Sequence, residues 1–226
     1  MEDNKEAQEA QATSLITPLR VALVFGAILI VALGYLRMQE PPVEEMPVYF
    51  EIPQFTLTDQ DSADFGRNSM EGKIWVADFI FSNCPAICPL LTAKFKALEQ
   101  QTAEWEGTKG AERIRFLSIS VDPRNDTPEV LKKYAEKYKA NLDRWTFLTG
   151  APADVAQLLK TGFKVATVEG VSEENVDKVA DGEILHVEHF ALVDHLGRVR
   201  GYYAQDSESQ AKLKRDLRRL LAEVDS

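Results

Sequence analysis

Two apolar runs rich in β-formers, Ile74–Phe81 (IWVADFIF) and Ile114–Val121 (IRFLSISV), flank a segment of helical length. Inside that segment Leu91, Phe95, Leu98, Thr102 and Trp105 recur at spacings of four and three, which lays one stripe of a helix against a sheet. Strand, helix, strand in this order is a βαβ unit and predicts a largely parallel sheet. A chain built this way needs helices to cover the sheet, and the sequence supplies them.

A second helix is expected after Asp126, with Thr127 as N-cap and Pro128 in the first helical position, where its missing N–H costs nothing. Trp145–Leu148 reads as a short strand, Pro152–Thr161 as a helix, and Phe190–Asp194 with Val199–Tyr203 as a hairpin through His195-Leu196-Gly197-Arg198. An amphipathic helix over Ser209–Val224 closes the chain. The expected fold is an α/β sandwich of thioredoxin-like order.

Ahead of it lies VALVFGAILIVALGYL, residues 21–36, uncharged between Arg20 and Arg37. Sixteen residues span roughly 24 Å, and Leu15, Ile16 and Leu19 extend the stretch toward a ~30 Å hydrocarbon core while Arg20 snorkels. This predicts one N-terminal transmembrane helix. Tyr35-Leu36-Arg37 is a poor cleavage site, no cysteine follows for lipidation, and Glu2, Asp3, Glu6 and Glu9 are wrong for a mitochondrial transit peptide. The expected organisation is a cytoplasmic tail over residues 1–20, a bacterial inner-membrane anchor over 21–36, a Pro- and Glu-rich linker over 37–48, and a folded domain over 49–226. Lys5 and Arg20 against Arg37 alone give a weak positive-inside bias, which places that domain on the outer, periplasmic side. Residues 38–226 carry a formal charge of −9, once four acidic and three basic residues of the leading segment are set aside. So acidic a domain is a poor match for nucleic acid, and its partner is a protein, a membrane or a small ion.

Both cysteines of the chain lie at the end of the first strong strand, in Phe81-Ser82-Asn83-Cys84-Pro85-Ala86-Ile87-Cys88-Pro89. Pro89 is expected at the first helical position and Cys88 at or near the cap, where the helix N-terminus would favour a thiolate. Two thiols can form at most one bridge, Cys84–Cys88. A loop of three intervening residues is too small for that bridge to stabilise the fold much, so a redox or metal role explains the position better. A thiolate is both the nucleophile of disulfide exchange and a soft ligand for copper(I). An imidazole is the obvious third ligand, and the chain has His186, His189 and His195. His195 falls in the hairpin turn. His186 and His189 would point to opposite faces of an extended segment, and the residues alone leave those two nearly even.

The ordered set of motifs resembles the Sco/SenC proteins of cytochrome c oxidase assembly. It comprises Phe55-Thr56-Leu57-Thr58-Asp59; Trp75–Phe81 running into Cys84 and Cys88-Pro89; Ser120-Val121-Asp122-Pro123 with Asp126-Thr127-Pro128; and a His eleven residues before a turn Gly, here His186 and Gly197. The resemblance covers most of residues 50–205. It implies a membrane-anchored thioredoxin-like domain, copper held by Cys84, Cys88 and His186, and cytochrome c oxidase subunit II as partner. Val187 stands where many relatives carry Ser or Thr after the ligand His.

Asp122 and Asp126 are expected to act in a turn and a helix start, and Met46 and Met70 to fill gaps in the core. Three activities fit the thiols: a copper metallochaperone, a thiol–disulfide reductase acting on a partner's cysteines, and a copper or redox sensor. A peroxidase has no support beyond the thiols themselves, and the chaperone is the leading reading.

Overall fold

The computed structural model describes residues 21–33, 35, 46–84, 87–105, 110–165 and 189–224. The chain divides into two compact units, Met1–Glu45 and Met46–Ser226. In the first, residues 21–33 are helical and their apolar side chains stand exposed, Leu23 at 66%, Phe25 at 69% and Ile30 at 72%. No helix among the described residues is long and apolar enough to cross a membrane. Part of the expected span over 21–36 lies outside the described residues.

The second unit begins with β1 (Phe50–Glu51), β2 (Thr56–Asp59), β3 (Asp64–Gly66) and the short helix α1 (Arg67–Met70). It continues with β4 (Ile74–Ile80), α2 (Ile87–Ala103), β5 (Ile114–Ser120), α3 (Pro128–Lys137) and β6 (Trp145–Thr149). Helix α4 (Pro152–Gln157) follows and widens into a π-turn at Leu158–Gly162; β7 (Phe190–Val193), β8 (Arg198–Tyr203) and α5 (Ser207–Val224) complete it. Thr127 caps α3 with Pro128 in its first turn, as expected, its Oγ1 accepting from the Val130 N–H at 3.4 Å.

The strands form one sheet in the order β1-β8-β7-β4-β5-β6-β2-β3. Only β4–β5 and β5–β6 are parallel. The other five pairings are antiparallel, so the expectation of a largely parallel sheet holds at the centre alone. The difference comes partly from β1, β2 and β3, two to four residues each, too short to show a period of two in the sequence.

The pleat divides the core. Ile74, Val76 and Ile80 of β4 join Phe95 and Leu98 of α2, Leu131 of α3 and Leu213, Leu217 and Leu220 of α5. The alternate residues Trp75, Ala77 and Phe79 face Val155, Leu158, Leu159 and Phe163 on the other side of the sheet. The stripe expected on α2 is buried: Leu91, Phe95, Leu98 and Thr102 are each 3% exposed or less. Met46 and Met70 are buried, as gap-filling methionines should be. At the start of the second unit Arg200 donates to the carbonyls of Met46 (3.0 Å) and Pro47 (3.1 Å). The hairpin turn needs Gly197, whose φ is +71° and whose pro-Cβ position would collide with the Arg67 guanidinium.

Candidate metal and thiol site

Strand β4 ends at Ile80, and the chain turns through Phe81-Ser82-Asn83 before α2 begins at Ile87. The Cys84 N–H donates to the Phe81 carbonyl at 3.3 Å. Cys88 and Pro89 are the second and third residues of α2, two positions deeper than the sequence suggested. Proline is tolerated there because first-turn amides have no carbonyl partner within the helix.

That shift changes the electrostatics. The Cys88 N–H points to the Cys84 sulfur at 3.5 Å, so an unpaired amide of the helix N-terminus faces Cys84. Cys88 itself is 1% exposed. Burial pushes its thiol up to about 12, helped by Cys84 and Asp78 and opposed by a backbone hydrogen bond at Phe81. Burial thus opposes the Cys88 thiolate expected near the helix start. Cys84 is partly buried and thus the more exposed residue of the pair. Cys84 and Cys88 lie close enough for the Cys84 sulfur to accept the Cys88 N–H at 3.5 Å.

Behind the thiols lies a buried polar group that the sequence reading passed over. Asp78 is 2% exposed, takes the Ser118 hydroxyl as donor to Oδ1, and has no hydrogen-bond partner for Oδ2 among the described residues. Ser118 in turn accepts from the Trp145 indole N–H at 2.8 Å. Burial raises the Asp78 carboxyl to about 7 against the pull of the Ser118 bond. The signal was present in the sequence as one acid inside the run IWVADFIF.

Asp126 departs from its expected helix-start role, which Thr127 fills. It is fully buried and reaches across to the cysteine loop. The Ser82 N–H donates to both its carboxylate oxygens, at 3.2 and 3.1 Å, and the hydroxyls of Ser82 and Ser120 donate to one oxygen each. Asp122 shapes the turn before it, accepting from the Asn125 side chain at 2.8 Å and, through its carbonyl, from the Asp126 N–H at 3.0 Å.

His186 lies outside the described residues. His189 immediately precedes β7 and is partly buried. His195 sits in the turn as expected, yet it is partly buried rather than solvent-facing, and its carbonyl accepts from the Gly72 N–H at 3.0 Å. Among the described residues no group of three His, Cys, Asp or Glu side chains could hold a metal ion. The structure thus brings Cys84 and Cys88 together and places neither His189 nor His195 with them as a third ligand.

The SCO1/SenC family model matches residues 46–222, nearly the whole second unit. The chain belongs to the SCO1/SenC family. It is 35% identical over 156 residues to the SCO1 protein homolog of Bacillus subtilis, covering 68% of this chain and 73% of that relative. It is 29% identical over 174 residues to a Stutzerimonas stutzeri protein named for an expected copper binding, 76% of each chain being covered. Among solved structures, BsSco, described as a member of the Sco family of cytochrome c oxidase assembly proteins with a disulfide switch, matches with a TM-score of 0.58 and 31% identity. That match covers 76% of this chain and 94% of BsSco. The α/β thioredoxin-like order expected from the sequence is the fold of this family.

Proposed function

We propose that this SCO1/SenC protein is a membrane-anchored copper metallochaperone that assists assembly of the binuclear copper centre of cytochrome c oxidase subunit II. The observation that carries the reading is the pair of sulfurs at the start of α2, the Cys84 Sγ accepting the Cys88 N–H at 3.5 Å. Two soft donors so placed suit copper(I), which takes thiolates readily and needs no fixed coordination geometry. His186 supplies the third ligand in this proposal.

The two sulfurs have different duties. Cys84, partly exposed, exchanges ligands with an acceptor, whereas Cys88, buried at the helix start, keeps the ion until transfer is under way. Binding requires Cys88 to lose its proton, so copper uptake and proton release are linked. The exposed apolar helix at 21–33 supports the anchor, since a surface of that kind needs lipid or protein to cover it. The B. subtilis and S. stutzeri relatives and the Sco-family description of BsSco support the copper and oxidase assignment.

A second duty as a thiol–disulfide reductase is favoured by the asymmetry of the same pair. Cys84 would attack a partner's disulfide and Cys88 would resolve the mixed disulfide, leaving the partner's two cysteines reduced and Cys84–Cys88 oxidised. Loading the reduced, full-length protein with copper(I) and mixing it with an apo copper domain of subunit II separates the two duties. Transfer of bound copper supports the chaperone. Reduction of a subunit II disulfide by a protein that retains no copper would replace it with the reductase.

A further inference from the structure

We infer that Asp126 is the positioning residue of the cysteine loop: its carboxylate fixes the backbone at Ser82 and thereby holds Cys84 within reach of Cys88. The inference rests on the thiol pair being the functional site, as proposed above, and concerns how that site is kept in shape.

Ser82 is two residues from Cys84, in the turn that leaves β4. A loop at a strand end has few ladder partners, and its backbone must find others or fluctuate. Here they come from the β5–α3 connection. The Asp126 carboxylate receives the Ser82 N–H on both oxygens and the Ser82 hydroxyl on one, at a fully buried position. The carboxylate also accepts the Ser120 hydroxyl at 2.6 Å, and the Asp126 backbone is fixed by its own N–H, bonded to the Asp122 carbonyl at 3.0 Å. The Ser120 oxygen also accepts from the Asp122 N–H at 3.0 Å, so the connection is folded around these groups. The Val121 N–H to Ile80 carbonyl bond, 2.8 Å, joins the ends of the two strands just beneath.

The chemistry suits a negatively charged anchor. A carboxylate only accepts, and every group facing it here is a donor. Such charge-assisted bonds are stronger than neutral ones. Helix α2 fixes Cys88 through its packing, but Cys84 precedes that helix and depends on the turn. Tying down Ser82 raises the effective concentration of the Cys84 sulfur at Cys88, which favours every state in which both sulfurs act on one centre, whether a disulfide bond or a bound copper ion.

The test uses the full-length protein and three variants, Asp126→Asn, Ser82→Ala and Ser120→Ala. One readout needs no metal: equilibration with glutathione, in which two glutathione thiols become one glutathione disulfide as the Cys84–Cys88 bond is reduced to two thiols. The other is competition for copper(I) with a chelator. Asp126→Asn places an amide N–H₂ against donors and should shift the glutathione equilibrium toward the dithiol roughly tenfold, about 30 mV for a two-electron couple, and weaken copper retention by a similar factor. Ser82→Ala, which removes one bond to the loop, should shift both in the same direction by a few-fold. Ser120→Ala removes one bond to the same carboxylate but touches no loop residue, and should lower stability while moving both readouts least.

Equal shifts for Ser120→Ala and Ser82→Ala would reduce Asp126 to a structural residue, as would unchanged readouts in Asp126→Asn and Ser82→Ala, and either result overturns the inference. Should Asp126→Asn not fold, Ser82→Ala against Ser120→Ala decides. A wild-type protein that holds no copper would overturn the copper reading, while the glutathione shifts would still decide the role of Asp126.

Discussion

Burial sets the chemistry of individual residues here. Asp78 shows it most clearly, because a carboxyl raised to about 7 in the folded chain keeps a proton that the unfolded chain gives up near 3.8. The folded state therefore binds the extra proton between those values, and its stabilising contribution is complete below pH 3.8 and lost as pH rises through 7. Asp78→Asn, which needs no proton to stay neutral, should gain on the wild type by roughly 3 kcal/mol between pH 5 and pH 8 in urea unfolding. A constant difference across that range would contradict it. Cys88 follows the same rule with a different result. Burial opposes the thiolate that the motif suggests for Cys88, as it carries Asp126 away from the helix start and into the cysteine loop, because burial cannot be read from a motif.

Among the elements, α2 links the core to the site: its first turn carries Cys88 and its second and third lie against the sheet. Phe95 is the contact that seats it, fully buried with ring centroids 5.1 Å from Phe116, 5.1 Å from Trp145 and 4.7 Å from Phe190. Phe95→Ala should cost about 4 kcal/mol in denaturant unfolding. A loss below about 1 kcal/mol would mean that α2 is seated by something else. This helix, β4, β5, α3, β6 and the β7–β8 hairpin were all legible in the sequence, because each is long enough or well enough capped for its period or its turn residues to show. The strands over 50–66 were not, since two to four residues that pair through their backbones leave no pattern. The cysteines were legible as chemistry, but Ser82, Ser120 and Asp126 were not legible as a unit. They come together only when β5 and the connection after it fold alongside β4, and a sequence separation of 44 residues between Ser82 and Asp126 hides that.

For the whole molecule, the acidic folded domain and the apolar segment ahead of it make one expectation about placement. Protease added to spheroplasts should remove residues 46–226 and leave the N-terminal segment in the membrane; a protected domain, or a mature N-terminus near residue 38, would contradict the anchored, outward-facing arrangement. The proposed function rests on Cys84, Cys88 and His186 holding copper. Anaerobic chelator competition on the reduced full-length protein tests it most directly, comparing the wild type with Cys84→Ser, Cys88→Ser, His186→Ala and His189→Ala while circular dichroism reports the fold. The wild type should retain about one copper(I) per chain, as two soft thiolates and an imidazole would. Each serine variant should lose tight binding with its fold intact, His186→Ala should bind more weakly, and His189→Ala should match the wild type. Near-stoichiometric tight copper in either serine variant, or loss of copper in His189→Ala but not in His186→Ala, would contradict the account.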